Sequence, residues 1–213
     1  MSELALSPES DAAPTPGAEL PAARKRPKPG ERRAQILQAL AARLEQPGGE
    51  RITTAALAAR LSVSEAALYR HFASKAQMFE ALIDFIESSV FGLINQIGER
   101  EPAGRARAAR IVAMVLQFGE KNPGMTRVMV GDALVFEHER LQQRMNQFFD
   151  RIESTLRQCL RATTADSSTP TVDAQVAANV LTAFVVGRLQ GYARSGFRRL
   201  PTEHLEASLA LML

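Results

Sequence analysis

The chain holds one cysteine, Cys159, among 213 residues. It can form no disulfide within itself, and so thiol-poor a composition fits a reducing cytoplasm better than a secreted, stapled fold. Cys159 follows an apolar helical stripe and is expected to be buried filler. The three histidines, His71, His138 and His204, lie far apart and lack cysteine or carboxylate neighbours at ligand spacing. Neither a metal centre nor a Ser-His-Asp arrangement is indicated. A phosphate loop is missing as well, and these gaps argue against an enzyme. There is no unbroken run of about 18 apolar residues to span a bilayer. The N-terminus is acidic and proline-rich where a signal peptide would need positive charge ahead of an apolar stretch. The expectation is a cytoplasmic protein with no membrane span, no cofactor and no catalytic residue.

What is present suits a soluble globular chain. Hydrophobic residues make up 46% and charged residues 23%, ordinary values that allow a sizeable core. The length accommodates a small unit and a larger body. The net charge is only +3, so its placement matters more than its size. Lys and Arg crowd the run RKRPKPGERR at 24–33, whereas the first twenty residues carry only Glu3, Glu9, Asp11 and Glu19. The asymmetry suggests a basic arm beside the first folded helix. Residues 1–30 contain Pro8, Pro14, Pro16, Pro21, Pro27 and Pro29 among Ala, Ser and Glu. Such a segment has too little apolar surface to repay ordering and reads as a disordered tail.

Beyond the tail nearly every segment repeats near 3.6 residues and no credible alternating strand appears, which makes the fold class all-α. A first helix over 31–44 places Ile36, Leu37, Leu40 and Leu44 on one face and is stopped by PGG at 47–49. Thr53, Ser64 and Ser74 are good N-caps for the next three helices, the last reaching about residue 98. Breaks at 99–104 and at NPG, 122–124, frame a helix over about 105–120, and helix then resumes. From about 137 to 160, Leu141, Met145, Phe148, Phe149, Ile152 and Leu156 recur at steps of three and four. A polar linker at 163–171 introduces a helix over about 172–192, and a last helix is expected at 202–213. The 172–192 segment is small and apolar all round. It therefore needs cover on several sides, which a homodimer interface through Val176, Val180 and Phe184 would supply.

The stretch RITTAALAARLSVSEAALYRHFASK, residues 51–75, reads as two short helices joined by a tight turn: a helix-turn-helix over about 53–72. Leu57, Ala58 and Leu68 face inward, and Val63 plugs the turn. The second helix can enter the major groove, whose base edges distinguish all four pairs, with its N-terminal turn leading. Glu65, Ala66 and Ala67 then lie nearest the groove floor. Alanine can touch a thymine methyl and Glu65 can accept from a cytosine amine, with most specificity expected from shape and apolar contact. Thr53, Thr54, Tyr69, His71 and Lys75 can donate to phosphates, which fixes register without reading sequence. Ser64 and Arg70 complete the candidate set. Tyr69 and His71 could alternatively be half-buried packing residues.

The pattern T-x3-LA-x4-VS-x3-LYRHF-x-SK resembles the TetR family of regulators. The resemblance implies a three-helix DNA-binding head at 31–75 on a helical body at 76–213 that dimerises through its last long helices. Ser62 stands where the family usually has Gly, a departure that costs up to about 1 kcal/mol if the residue is left-handed. A second block, QFGEKNPGMTRVMVGDALVFEHERLQQRMNQFFDRIESTLRQCLR, is similar to one branch of that family, over about 31–200. The branch resemblance implies binding to dispersed chromosomal palindromes and to the division protein FtsZ, antagonising its ring over the nucleoid. Phe85, Met114, Lys121 and Asn122 occupy the positions implied for FtsZ contact, and Leu93 stands where that branch carries Arg. The rival expectation is a transcriptional repressor released from its operator by a small effector held in an apolar pocket of the body.

Overall fold

The computed structural model describes residues 30–46, 52–161, 163 and 168–213. The tail up to residue 29, the PGG stop and residues 164–167 of the linker lie outside them. Among the described residues the elements are α1 (Glu31–Leu44), α2 (Thr54–Arg60), α3 (Glu65–Tyr69), α4 (Lys75–Arg100), α5 (Arg105–Lys121), α6 (Pro123–Met129), a 3-10 turn (Asp132–Leu134), α7 (Glu139–Arg161), α8 (Pro170–Arg194) and α9 (Leu205–Met212). All are helical, as expected.

The three caps sit where the residue chemistry puts them. The hydroxyl oxygens of Thr53, Ser64 and Ser74 each accept a backbone N–H at 3.2 Å, from Ala56, Ala67 and Gln77. Two prolines act differently from the expectation. Pro123 and Pro170 begin α6 and α8 instead of closing turns, because a residue without an N–H and with a fixed φ fits the first helical turn. The helix expected from 137 starts at Glu139, which leaves Glu137 in the preceding loop. The last helix starts three residues late, since His204 is left-handed with φ 52°.

Ile36, Leu40, Leu57, Leu68, Phe72, Met78, Phe79 and Leu82 are buried together and form the centre of the head. In the body, Met145, Phe148, Ile152 and Leu156 of α7 pack against Ala178, Leu181, Val185 and Leu189 of α8 and Val112, Val115 and Leu116 of α5. Cys159 is buried at the end of the α7 stripe, and burial pushes its thiol pKa up, with Arg107 pulling the other way. It is filler, as read. By length and mean hydropathy alone, 1.2, α8 is long and apolar enough to cross a bilayer, a test that core helices also pass. The run mixes polar residues with apolar ones, so no unbroken apolar stretch reveals it. Its inner face is core, while Val172, Val176 and Val180 point outward on the opposite face.

Head and body meet at two joints. At the first, α1 lies against α6 so closely that a Cβ on Gly124 would overlap the Ala41 carbonyl oxygen. Beside it, the Arg127 guanidinium donates from Nη1 to the Leu44 carbonyl at 3.2 Å and from Nε to Asp132 Oδ2 at 2.6 Å. The free carbonyls at the end of α1 are thus held by a body residue. The second joint is a row of ion pairs between α4 and the start of α7: Lys75–Glu137 at 2.5 Å, Glu80–Arg140 at 2.6 Å, and Arg144 with Asp84 at 2.5 Å and Glu87 at 2.6 Å.

Two substitutions test this packing by urea denaturation. Ser62 has φ 53° at the end of α2, so Ser62→Gly is expected to raise stability by about 1 kcal/mol. Gly124→Ala must prise α1 from α6 and is expected to lower stability by about 1–3 kcal/mol. An unchanged midpoint for the second would mean that the joint is loose.

Candidate nucleic-acid interface

The turn of the helix-turn-helix is built from the end of α2. The Ser62 N–H bonds to the Ala59 carbonyl and the Val63 N–H to the Ala58 carbonyl, both within 3.1 Å, around the left-handed Ser62. This is a Schellman closure made without glycine. Val63 packs against the core and Leu68 is fully buried, so the outer face of α3 is fixed by what lies beneath it.

That face brings together most of the expected residues. Glu65, Ala66, Arg70 and His71 are exposed, Ala67 is half-buried, and Tyr69 is 45% exposed. Tyr69 and His71 are therefore surface groups and not packing residues. Thr53 and Ser64 accept their capping N–H groups through oxygen, which leaves each hydroxyl proton able to reach a phosphate. Thr54 behaves differently from its neighbour. Its Oγ1 donates to Glu65 Oε2 at 2.5 Å and accepts from the Tyr69 hydroxyl at 3.4 Å. A hydroxyl has one proton, and in this arrangement Thr54 and Tyr69 direct theirs along the series towards Glu65.

Lys75 is placed differently from the rest of the set. Its ammonium is paired with Glu137, 5.8 Å from the centre of the Phe79 ring, and its side chain is only 18% exposed. It ties the head to the body. Arg33, the last residue of the basic run 24–33, is not part of a solvated arm. Its Nη1 donates to the His71 carbonyl at 3.1 Å, and its guanidinium lies 4.2 Å from the centre of the Phe72 ring. It thus satisfies a carbonyl just past α3, where no local pattern could reveal a partner 38 residues away.

The body candidates fall into two grooves. Phe85, 48% exposed, lines one of about 300 Å³ with Leu37 and Ala41 of α1, Asn122 and Met125. Asn122 is held there by donating to the Phe118 carbonyl at 2.8 Å, and Lys121 beside it is exposed. Met114 lies apart from these, in a groove of about 850 Å³ between α4 and α5 with Leu93, Ile97 and Leu209. On α8, Val176 and Val180 are 57% and 47% exposed, while Phe184 is half-buried with the Arg188 guanidinium over its ring at 5.4 Å.

Residues 36–82 match the family of bacterial regulatory proteins called the tetR family. Residues 104–213 match the tetracyclin repressor-like C-terminal domain of SlmA-like type. The head match runs into α4 and the body match begins after it ends. The chain is 51% identical over 182 residues to the nucleoid occlusion factor SlmA of Idiomarina loihiensis, covering 85% of this chain and 93% of that one. It is 48% identical over 184 residues to the factor of the same name from Alteromonas mediterranea, covering 86% and 94%. Among solved structures, the fatty acid degradation regulator FadR of Bacillus halodurans superposes with a TM-score of 0.69 at 14% identity, covering 87% and 96%. At that identity the likeness speaks for the fold alone.

The geometry separates two kinds of basic residue on a salt titration of duplex binding. Arg70→Met is expected to reduce the slope of log affinity against log salt by about 0.9, the value of one phosphate contact. Lys75→Met is expected to leave that slope unchanged. Equal slope losses in both variants would mean that Lys75 contacts the backbone after all. Thr53→Ala is expected to cost about 1 kcal/mol of stability through its lost cap and to weaken duplex binding at matched salt.

Proposed function

The chain belongs to the nucleoid occlusion factor SlmA branch of the TetR family, and from that membership we propose that it is a DNA-bound inhibitor of cell division. As a homodimer it binds dispersed chromosomal palindromes and FtsZ together, and so antagonises FtsZ ring assembly over the nucleoid. It works in the cytoplasm, on the chromosome. The observation that carries this reading is the near-50% identity to SlmA proteins through head and body alike, because the TetR-type head alone would fit many regulators.

The geometry supports each part. Two copies of an exposed α3, presented by a twofold dimer, suit half-sites one turn of duplex apart. The outward valines of α8 give the dimer an apolar surface with no cover in the single chain. Phe85 beside Asn122 and Lys121 offers FtsZ an exposed aromatic anchor with polar neighbours, the usual make-up of a binding hot spot. The effector-released repressor has less support. The space between α5, α7 and α8 is filled by Val115, Met145, Phe148, Leu181 and Val185, all essentially inaccessible.

Filament pelleting tests the partnership. With purified protein, a palindromic duplex and FtsZ plus GTP, filament mass is expected to fall as protein is added, and more steeply with duplex than without it. An unchanged pellet across several doses contradicts the proposal. Phe85→Ala is expected to spare DNA binding and weaken the loss of filaments. On gel filtration, Val176→Asp and Val180→Asp are expected to yield monomers. A dimer surviving both changes would remove α8 from the interface.

A further inference from the structure

The hydrogen-bonded series Tyr69, Thr54, Glu65 points at one base pair. Glu65 is the first residue of α3, the part of the helix that leads into the groove. An unrestrained glutamate there would sample many rotamers, few of them aimed at a base edge. Here Thr54 Oγ1 holds Oε2 at 2.5 Å, and Tyr69 in turn donates to Thr54 at 3.4 Å. Oε1 is left to accept from outside. The lock joins α2 to α3 across the turn, since Thr54 opens one helix and Glu65 the other.

We propose that Glu65 reads a C:G pair directly in each half-site, with Thr54 and Tyr69 as positioning residues that hold its carboxylate in one pose. This rests on the DNA-binding reading above and deepens it. An ionised carboxylate accepts and cannot donate. In the major groove it can therefore be satisfied only by an exocyclic amine, of cytosine or adenine. Adenine places its N7 acceptor beside the amine and repels the carboxylate, whereas cytosine does not. The same charge works against nonspecific complexes, in which Glu65 lies among phosphates with no amine to bind. Specificity then comes from one charged contact as well as from the apolar surface of Ala66 and Ala67. Thr54 affects the bases only through Glu65.

Selection from a pool of randomised duplexes, run in parallel on the wild type, Glu65→Gln, Thr54→Val and Tyr69→Phe, tests this. Wild type should enrich a palindrome with a C:G pair at one position of each half-site, by a factor of about five or more over the other pairs. Glu65→Gln should move that position towards A:T, because glutamine both donates and accepts, and should bind the unselected pool more tightly. Thr54→Val removes the proton but keeps the shape. It should flatten the preference at that position alone, and Tyr69→Phe should do so to a smaller degree. Melting temperatures near that of the wild type would exclude misfolding as the cause. A Glu65→Gln motif identical to that of the wild type, or a Thr54→Val motif unchanged at that position, overturns the proposal while the DNA-binding reading stands. If the wild type itself enriches no motif, both fail together.

Discussion

The attitude of the DNA-reading head depends on one constraint: the first turns of α4 pack into the core of the head on one side and pair with the body on the other. Its first turns supply Met78, Phe79 and Leu82 to the core of the head. The same turns carry Lys75, Glu80, Asp84 and Glu87, which pair with Glu137, Arg140 and Arg144 beside and on α7. Individually such pairs at a surface contribute little, but several in a row between two rigid helices fix their register. The close seat of Gly124 on α1 and the Arg127 hold on the Leu44 carbonyl restrain the head from the other side.

A head restrained in this way suits a protein that works while bound to DNA. If an effector were to release it, α4 would have to swing, and the ion-pair row and the α1–α6 seat would have to break together. The proposed partner residues lie on the same framework. Phe85 follows Asp84 on α4, and Asn122 immediately precedes α6, which is seated on α1. A partner held there would feel any change in the tilt of the head, and coupling of that kind is reciprocal. The exposed face of α3 and the groove around Phe85 thus belong to one connected framework.

Much of this was legible in the sequence because its chemistry is local. Thr53, Ser64 and Ser74 announced three helix starts, since a hydroxyl followed by an apolar repeat has few other uses. The α7 stripe and the all-round apolar character of α8 were equally plain. What escaped reading depends on residues far apart. The pairing of Lys75 with Glu137 spans 62 positions, and the hold of Arg33 on the His71 carbonyl spans 38, so neither shows in a local pattern. The Thr54–Glu65 bond escaped for a subtler reason: which acceptor takes a single hydroxyl proton is decided by the crossing of two helices. Pro123 and Pro170 were ambiguous in principle, because the same ring ends one helix and begins another.

The fixed attitude of the head can be measured without DNA. A spin label on exposed Arg60→Cys of α2, with buried Cys159 replaced by Ala, reports the separation of the two heads in a dimer by pulsed electron resonance. The account predicts one narrow separation compatible with half-sites about 35 Å apart, the same with and without duplex. A broad distribution in the free protein that sharpens only on DNA would contradict it.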